Sequence, residues 1–256
     1  MTFHQVKKLA GNINPNCFEY LPVENLIISV CGCVIYIHNF STGGLLQSYD
    51  YHNYPIISIA LLQANKKQDL FSLDESGMIK CVDIKSESKS TAWGFHLREN
   101  IKDGFINKNL KRIFFTVKNK DSLIYIFNFF NNEITHISTS STEMNSRYHG
   151  LKPSKDENFA VGFNEKTIIL YDLLENKAIN HIAHDNFVNV VDLNHDNTIL
   201  AVGDVIGKIY LYYDPLVNKS GSNKSSKFHW HCRNVLTLKF NAISNVLLSG
   251  GFEVII

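Results

Sequence analysis

Ile199-Leu-Ala-Val202 and Lys208-Ile-Tyr-Leu-Tyr212, with Gly203-Asp-Val-Ile-Gly207 between them, form the unit whose reading decides the fold. Both runs are short and rich in β-branched, aromatic and aliphatic residues, and Gly and Asp punctuate the gap, so the unit reads as strand, turn, strand. It recurs upstream. Leu26-Ile-Ile-Ser-Val30 precedes Val34-Ile-Tyr-Ile-His38, Leu70-Phe-Ser72 precedes Met78-Ile-Lys-Cys-Val-Asp83, and Arg112-Ile-Phe-Phe-Thr-Val117 precedes Leu123-Ile-Tyr-Ile-Phe-Asn128. A fourth copy, Asn158-Phe-Ala-Val161 before Thr167-Ile-Ile-Leu-Tyr-Asp172, completes the series.

His38, Val82, Phe127, Tyr171 and Tyr212 are equivalent positions of this unit and follow one another at a steady interval. A period of roughly 40–45 residues with several short strands per unit is the signature of a WD-repeat β-propeller. The expected fold is therefore all-β, with about six degenerate blades and the last one incomplete, as in an open or fragmentary seven-bladed propeller. Residues 1–256 are expected to form a single N-terminal propeller, unfinished at Phe252-Glu-Val-Ile-Ile256. Exposed blade edges would then need completion by another segment. The nearest helical candidate, Leu97 to Leu110, contains Gly104 and has weak periodicity. Ser138 to Ser146 and Asn218 to Lys227 read as exposed connections.

A second landmark is independent of the first. His52, His184 and His231 are each followed, after three intervening positions, by an apolar run: Ile56 to Leu61, Val188 to Leu193, and Val235 to Phe240. A strand-ending small residue, Ser72, Gly203 or Ser249, then follows each histidine at a nearly constant interval. This resembles the Gly-His position of WD repeats, where the imidazole bonds across the blade to a hydroxyl and through it to an acidic turn and a Trp. Here the Gly is absent before all three histidines and no Trp closes a third strand. His52, His184 and His231, with Ser72 and Ser249, are expected to be structural blade groups, since a buried imidazole needs a hydrogen-bond partner.

No catalytic, cofactor or metal site is expected. The chain has no G-x-S-x-G elbow, no Gly-rich phosphate loop and no H-E-x-x-H. Ser249-Gly250-Gly251 is read as a turn between second and third strands. Cys17, Cys31, Cys33, Cys81 and Cys232 are read as reduced thiols. Cys31-Gly-Cys33 has no further ligand pair at zinc spacing, and His229-Trp-His231 has neither a carboxylate nor a Cys pair nearby.

Charge narrows the partners. Lys+Arg 25 against Asp+Glu 24 leaves a net charge of +1, which argues against a nucleic-acid backbone as the main partner. Lys108, Lys111, Arg112, Lys118 and Lys120 make one local basic stretch that could contact RNA or an acidic surface. The longest apolar stretch, Ile56 to Leu62, falls far short of the roughly 20 residues of a membrane span. The N-terminal residues lack the apolar core of a secretory signal, so an intracellular protein is expected.

The last repeats are more specific. Phe228-His-Trp-His-Cys-Arg-Asn-Val-Leu-Thr-Leu-Lys-Phe240, followed by Val246-Leu-Leu-Ser-Gly-Gly-Phe-Glu253, resembles the WD repeat-containing protein 75 family. That family shows a Trp-His, a polar gap, an alternating strand, then Leu-Leu-Ser-Gly-Gly-x-Glu. The preceding blade has the same order, and the likeness runs from Asn186 to Glu253. It implies a non-enzymatic nucleolar scaffold in the t-UTP (UtpA) subcomplex of the small-subunit processome, linked to 18S pre-rRNA processing and to RNA polymerase I transcription. The implied partners are other WD-repeat processome subunits and pre-rRNA or a small nucleolar RNP, with no membrane, cofactor or small-molecule substrate. Family members carry two tandem propellers and a helical C-terminal part. The competing reading is a WD-repeat adaptor of another complex, such as a ubiquitin-ligase substrate receptor or a chromatin complex.

Overall fold

The computed structural model describes residues 17–64, 67–85, 93–118, 124–137, 150–217 and 225–251. Every regular element among them is a β-strand. The chain divides into two compact units, residues 1–101 and 102–256.

In the first unit, β1 (Phe18–Leu21), β2 (Leu26–Cys31), β3 (Val34–Asn39) and β4 (Leu45–Tyr49) form one sheet in chain order. Next come β5 (Ile56–Ala64), β6 (Lys67–Asp74), β7 (Met78–Asp83) and β8 (Trp93–His96), again a sheet in chain order. The second unit repeats the plan. Its sheets are β9 (Ile101–Asn107), β10 (Arg112–Val117), β11 (Ile124–Asn128) and β12 (Ile134–Ile137), then β13 (Gly150–Pro153), β14 (Phe159–Phe163), β15 (Thr167–Asp172) and β16 (Lys177–Ala183). These are followed by β17 (Val188–Leu193), β18 (Ile199–Asp204), β19 (Lys208–Tyr213) and β20 (Ser225–His229), and by the pair β21 (Val235–Phe240) and β22 (Leu247–Gly251).

Each repeat read from the sequence is thus the second and third strand of a sheet. One expectation changes: Ser225, Ser226 and Lys227 belong to strand β20 rather than to a loop. Ser138 to Ser146 lies outside the described residues.

Strand β15 shows why the apolar runs are nearly unbroken. Its side chains alternate between the two sides of the sheet. Ile168 and Leu170 pack toward β17–β19, against Val191, Leu200 and Tyr212. Ile169 and Tyr171 point the other way and pack with Phe105, Phe114 and Ile126. A sheet covered on both sides needs hydrophobic residues at successive positions, and each fully buried side chain contributes about 1.5–3 kcal/mol. The first unit does the same: Ile28, Val30, Ile35 and Ile37 meet Ile59, Leu61, Leu70 and Val82. In the second, Ala201 and Ile209 meet Val235, Leu238 and Phe240.

Turn chemistry holds the strands in register. Asn25, Asn132, Asn176 and Asn197 take positive φ between strands, a conformation Asn tolerates better than most side chains. Gly77 and Gly207 occupy matching turns, β6–β7 and β18–β19, with φ of +84° and +87°. A Cβ on Gly77 would stand 2.6 Å from the Glu99 carbonyl oxygen. Gly77→Ala therefore combines backbone strain with a clash and should cost about 2 kcal/mol, read from the denaturant midpoint. An unchanged midpoint would show that this turn relaxes freely.

Candidate functional site

The strongest polar constellation lies in the second sheet. The turn after β6 begins at Asp74, whose Oδ1 accepts hydrogen bonds from the Ser76 amide (2.9 Å), the Ser76 hydroxyl (2.6 Å) and the Met78 amide (3.0 Å). Its other oxygen, Oδ2, accepts from His52 Nδ1 at 2.7 Å. The far side of that ring, Nε2, meets Ser72 Oγ at 2.7 Å. With Nδ1–H donating to the carboxylate, Nε2 accepts from the serine hydroxyl. Burial pushes the Asp74 carboxyl up, but the bonds from His52, Ser76 and Met78 outweigh it and leave it below the usual carboxylate range.

This order of atoms is that of a serine-hydrolase relay. Burial decides what it does here: Ser72, His52 and Asp74 are 1, 3 and 1% exposed, so the hydroxyl meets protein on every side. The relay ties the segment entering β5 to β6 and to the β6–β7 turn.

The fifth sheet reaches the same end with other atoms. Superposing the turn residues Asp74 and Gly77 on Asp204 and Gly207 carries Ser72 to Val202 and Val82 to Tyr212. The equivalent of Ser72 is therefore Val202, not Gly203: Ile56 pairs with Asp74 and Val188 with Asp204, so the first hairpin of the fifth sheet is two residues shorter than that of the second. With no hydroxyl at Val202, His184 Nδ1 pairs with Tyr212 Oη at 2.8 Å, and its ring stands edge-on to Tyr210 at 4.4 Å. Asp204 again serves the turn, accepting from the Ile206 and Lys208 amides, while Asn186 Nδ2 takes its second oxygen. Burial, with smaller effects of Tyr210 and Asp185, pushes the Tyr212 phenol up to about 12. In the last sheet His231 Nε2 meets Ser249 Oγ at 2.9 Å.

Gly250 and Gly251 lie in β22 and not in a turn. They are small because of what faces them. A Cβ on Gly251 would fall 2.6–2.7 Å from the His231 ring, and one on Gly250 would fall 2.9 Å from Thr237 Cγ2. His229 Nε2 bonds the Ile206 carbonyl at 3.2 Å, so the two imidazoles flanking Trp230 serve different partners. No cluster of metal-ligating side chains occurs among the described residues. The five cysteines are free thiols; burial first, then Asp69 and Asp83, push Cys81 up to about 12, far from thiolate character at neutral pH.

Buried carboxylates also clasp neighbouring sheets. Asp192 in β17 accepts from the Phe240 amide (2.7 Å) and from Lys239 Nζ (3.0 Å), and Asp103 in β9 accepts from the Leu151 amide at 2.8 Å. Lys155 Nζ donates to the carbonyls of Phe240 and Asn241.

The basic stretch is less basic in space than in sequence. Lys108 and Asn109 present their amides to the Glu157 carboxylate at 2.6 and 3.2 Å, so an acid sits within the cluster. Lys111 Nζ lies 5.5 Å over the Phe130 ring, Arg112 opens β10, Lys118 is exposed, and Lys120 lies outside the described residues. The exposed feature that sequence reasoning left unweighed is Trp230, 59% exposed with its ring 4.9 Å from that of Phe228.

Two measurements test this reading. His52→Ala strands a buried carboxylate and should cost about 3 kcal/mol, against about 1 kcal/mol for His231→Ala. Equal losses would deny the relay its charge-assisted character. Burial holds His184 below the usual histidine range, against the pull of Asp204 and Asp185. The unfolded chain then takes up the proton first, so this stability is complete above about pH 6.5 and is lost as pH falls below it. His184→Gln should flatten that part of the Tm–pH profile; an unchanged slope would remove His184 as its source.

No family model and no curated protein matches the sequence. Solved structures do match. The chain is similar to the β-propeller domain of Cps50 (Swd1) from Myceliophteria thermophila, with a TM-score of 0.67, 11% identity, and coverage of 95% of this chain and 81% of that one. Likeness at that identity speaks for fold and not for activity. With sheets of four strands in chain order and a steady sequence repeat that matches them, the chain has a β-propeller fold.

Proposed function

We propose that the protein is a non-catalytic WD-repeat scaffold of ribosome biogenesis. In this reading it is a nucleolar subunit of the small-subunit processome, serving 18S pre-rRNA processing and RNA polymerase I-linked transcription. The observation that carries the proposal is the pair of runs Phe228 to Phe240 and Val246 to Glu253, which resemble the WD repeat-containing protein 75 family. Three residues of that pattern form one contact: His231 bonds Ser249, and Gly251 leaves room for the imidazole. Trp230 is the residue of the pattern left over for a partner, since its ring is exposed.

A WD-repeat propeller acts by surface display on a rigid frame, and propellers of this kind generally work through protein partners. The partners proposed are other WD-repeat processome subunits, with pre-rRNA or a small nucleolar RNP engaged directly or through them. The modest net charge favours protein contacts as the main source of affinity.

Affinity purification of the tagged chain, read for proteins and RNA, tests the proposal. Processome subunits and pre-rRNA should co-purify, the tagged protein should concentrate in nucleoli, and Trp230→Ala should lower subunit recovery several-fold with an unchanged Tm. Diffuse localisation, or co-purification of ubiquitin-ligase or chromatin-complex subunits instead, would replace this reading with the adaptor one.

A further inference from the structure

The turns that begin at Asp74 and Asp204 are alike at one carboxylate oxygen and different at the other. In both, Oδ1 accepts from the amides two and four residues further on. At Oδ2, His52 Nδ1 donates to Asp74 at 2.7 Å, whereas Asn186 Nδ2 donates to Asp204 at 2.9 Å. The histidines themselves are equivalent. Ile56 pairs with Asp74 and Val188 with Asp204, and each histidine stands the same distance before that first residue of its strand. His184 therefore lies beside an oxygen of its own turn that Asn186 occupies. It gives Nδ1 to the Tyr212 hydroxyl instead, and its Nε2 is buried with no hydrogen-bond partner among the described residues.

That arrangement suits a neutral ring and fails a charged one. A protonated imidazole has two N–H donors, and a buried cation without a counter-charge is costly. The carboxylate that can supply the counter-charge is Asp204, which with Asp185 already favours the charged ring, while Lys227 opposes it. The phenols of Tyr210 and Tyr212 pack on the ring. Glu165 and Lys166, both exposed, lie in the β14–β15 turn that receives the Val188 and His184 amides, and Lys208 opens β19. Turned about its Cβ–Cγ bond into the His52 orientation, the charged ring donates from Nδ1 to Asp204 Oδ2. The Tyr212 hydroxyl, free to rotate, then accepts from Nε2.

We infer that His184 is a proton-operated switch: the neutral ring pairs with Tyr212 while Asn186 holds Asp204, and the protonated ring takes Asp204 and releases Asn186. The second sheet shows the switched pairing made permanent, with His52 on Asp74. The output is at the surface. Asn186 lies in the short connection between β16 and β17, next to Phe187, which is 46% exposed with Lys166 Nζ 5.6 Å over its ring. Both ends of that connection are fixed by the His184–Lys166 and Val188–Glu165 backbone bonds, so the Asn186–Asp204 bond is the side-chain tie that a buried proton can undo. The switch turns on acidification and holds whether or not the chain serves ribosome biogenesis.

Nitrogen-15 NMR of the full chain, titrated from neutral into the acid range, tests it. The His184 ring nitrogens report the proton, and the Asn186 side-chain amide, assigned by its loss in Asn186→Ala, reports the tie to Asp204. The two should move together with one midpoint, and His184→Gln should leave the Asn186 amide unresponsive through that range. Asn186→Ala removes the competitor for Asp204, so His184 should bind its proton several-fold more tightly in that variant. A ring that merely titrates in place predicts the opposite on both counts: a still Asn186 amide and a parental midpoint in Asn186→Ala. Either result overturns the inference, and so does unfolding of the parent before the ring titrates, since the switched pairing would then be no stable state. Should Asn186→Ala fail to fold, the Asn186 amide can be assigned through the backbone, and its response in the parent and in His184→Gln decides alone.

Discussion

Both sides of these sheets are apolar, and that requirement governs the rest of the structure. In β15 one pair of side chains packs forward and the next residues pack backward, so a single sheet exposes too much hydrocarbon to stand alone and is stable only between neighbours. Any polar atom on such a face loses water and must find a protein partner or cost about 1–3 kcal/mol. The histidines sit where segments cross from one sheet to the next, which is where that demand is sharpest.

The three sheets that carry a histidine meet the demand differently, and the differences are coupled. Where the second strand supplies Ser72, the third strand has Val82, and Asp74 holds the far side of the ring. Where the second strand has Val202, the third strand has Tyr212, whose phenol replaces the lost hydroxyl. Degeneracy here is therefore a trade between two strands: one hydroxyl faces each imidazole, and its source moves. The Asp74 relay is the strongest version because its acceptor is ionised. The fifth sheet has the weaker one, since Asp204 is taken by Asn186 and the turn amides, and burial then holds His184 neutral.

Periodicity reveals the strands because both-sided burial writes itself into composition. The first three strands of most sheets carry long buried apolar runs and are legible; outer strands such as β20, with Ser225 and Lys227 exposed, carry little hydrophobic signal. The serine partners of His52 and His231 follow from spacing alone. Asp74 and Asp204 do not, because an aspartate before a turn is ordinary; the repeated Asp-x-x-Gly at 74–77 and 204–207 is the signal that marks them. A hairpin two residues shorter was enough to misplace the fifth-sheet equivalent by a single position, and a slip of one residue reverses the face to which a side chain is assigned. Contacts such as Lys108 with Glu157, 49 residues apart, have no local signature at all.

Charge and exposure together bear on how such a frame recognises anything. The one basic stretch is interrupted by Glu157, and the chain as a whole is nearly neutral, so electrostatic steering and counterion release are weak contributors. The exposed groups that remain are aromatic and aliphatic: Trp230 beside Phe228, and Phe18 and Tyr20 on the first sheet. Rings of this kind bury large area while losing few rotamers, which makes them effective anchors in a contact centre. Affinity built this way resides in shape fit and dissociation rate and responds weakly to salt. Anchors fixed on or beside hydrogen-bonded strands suit that mode of recognition, because they lose little freedom when a partner binds.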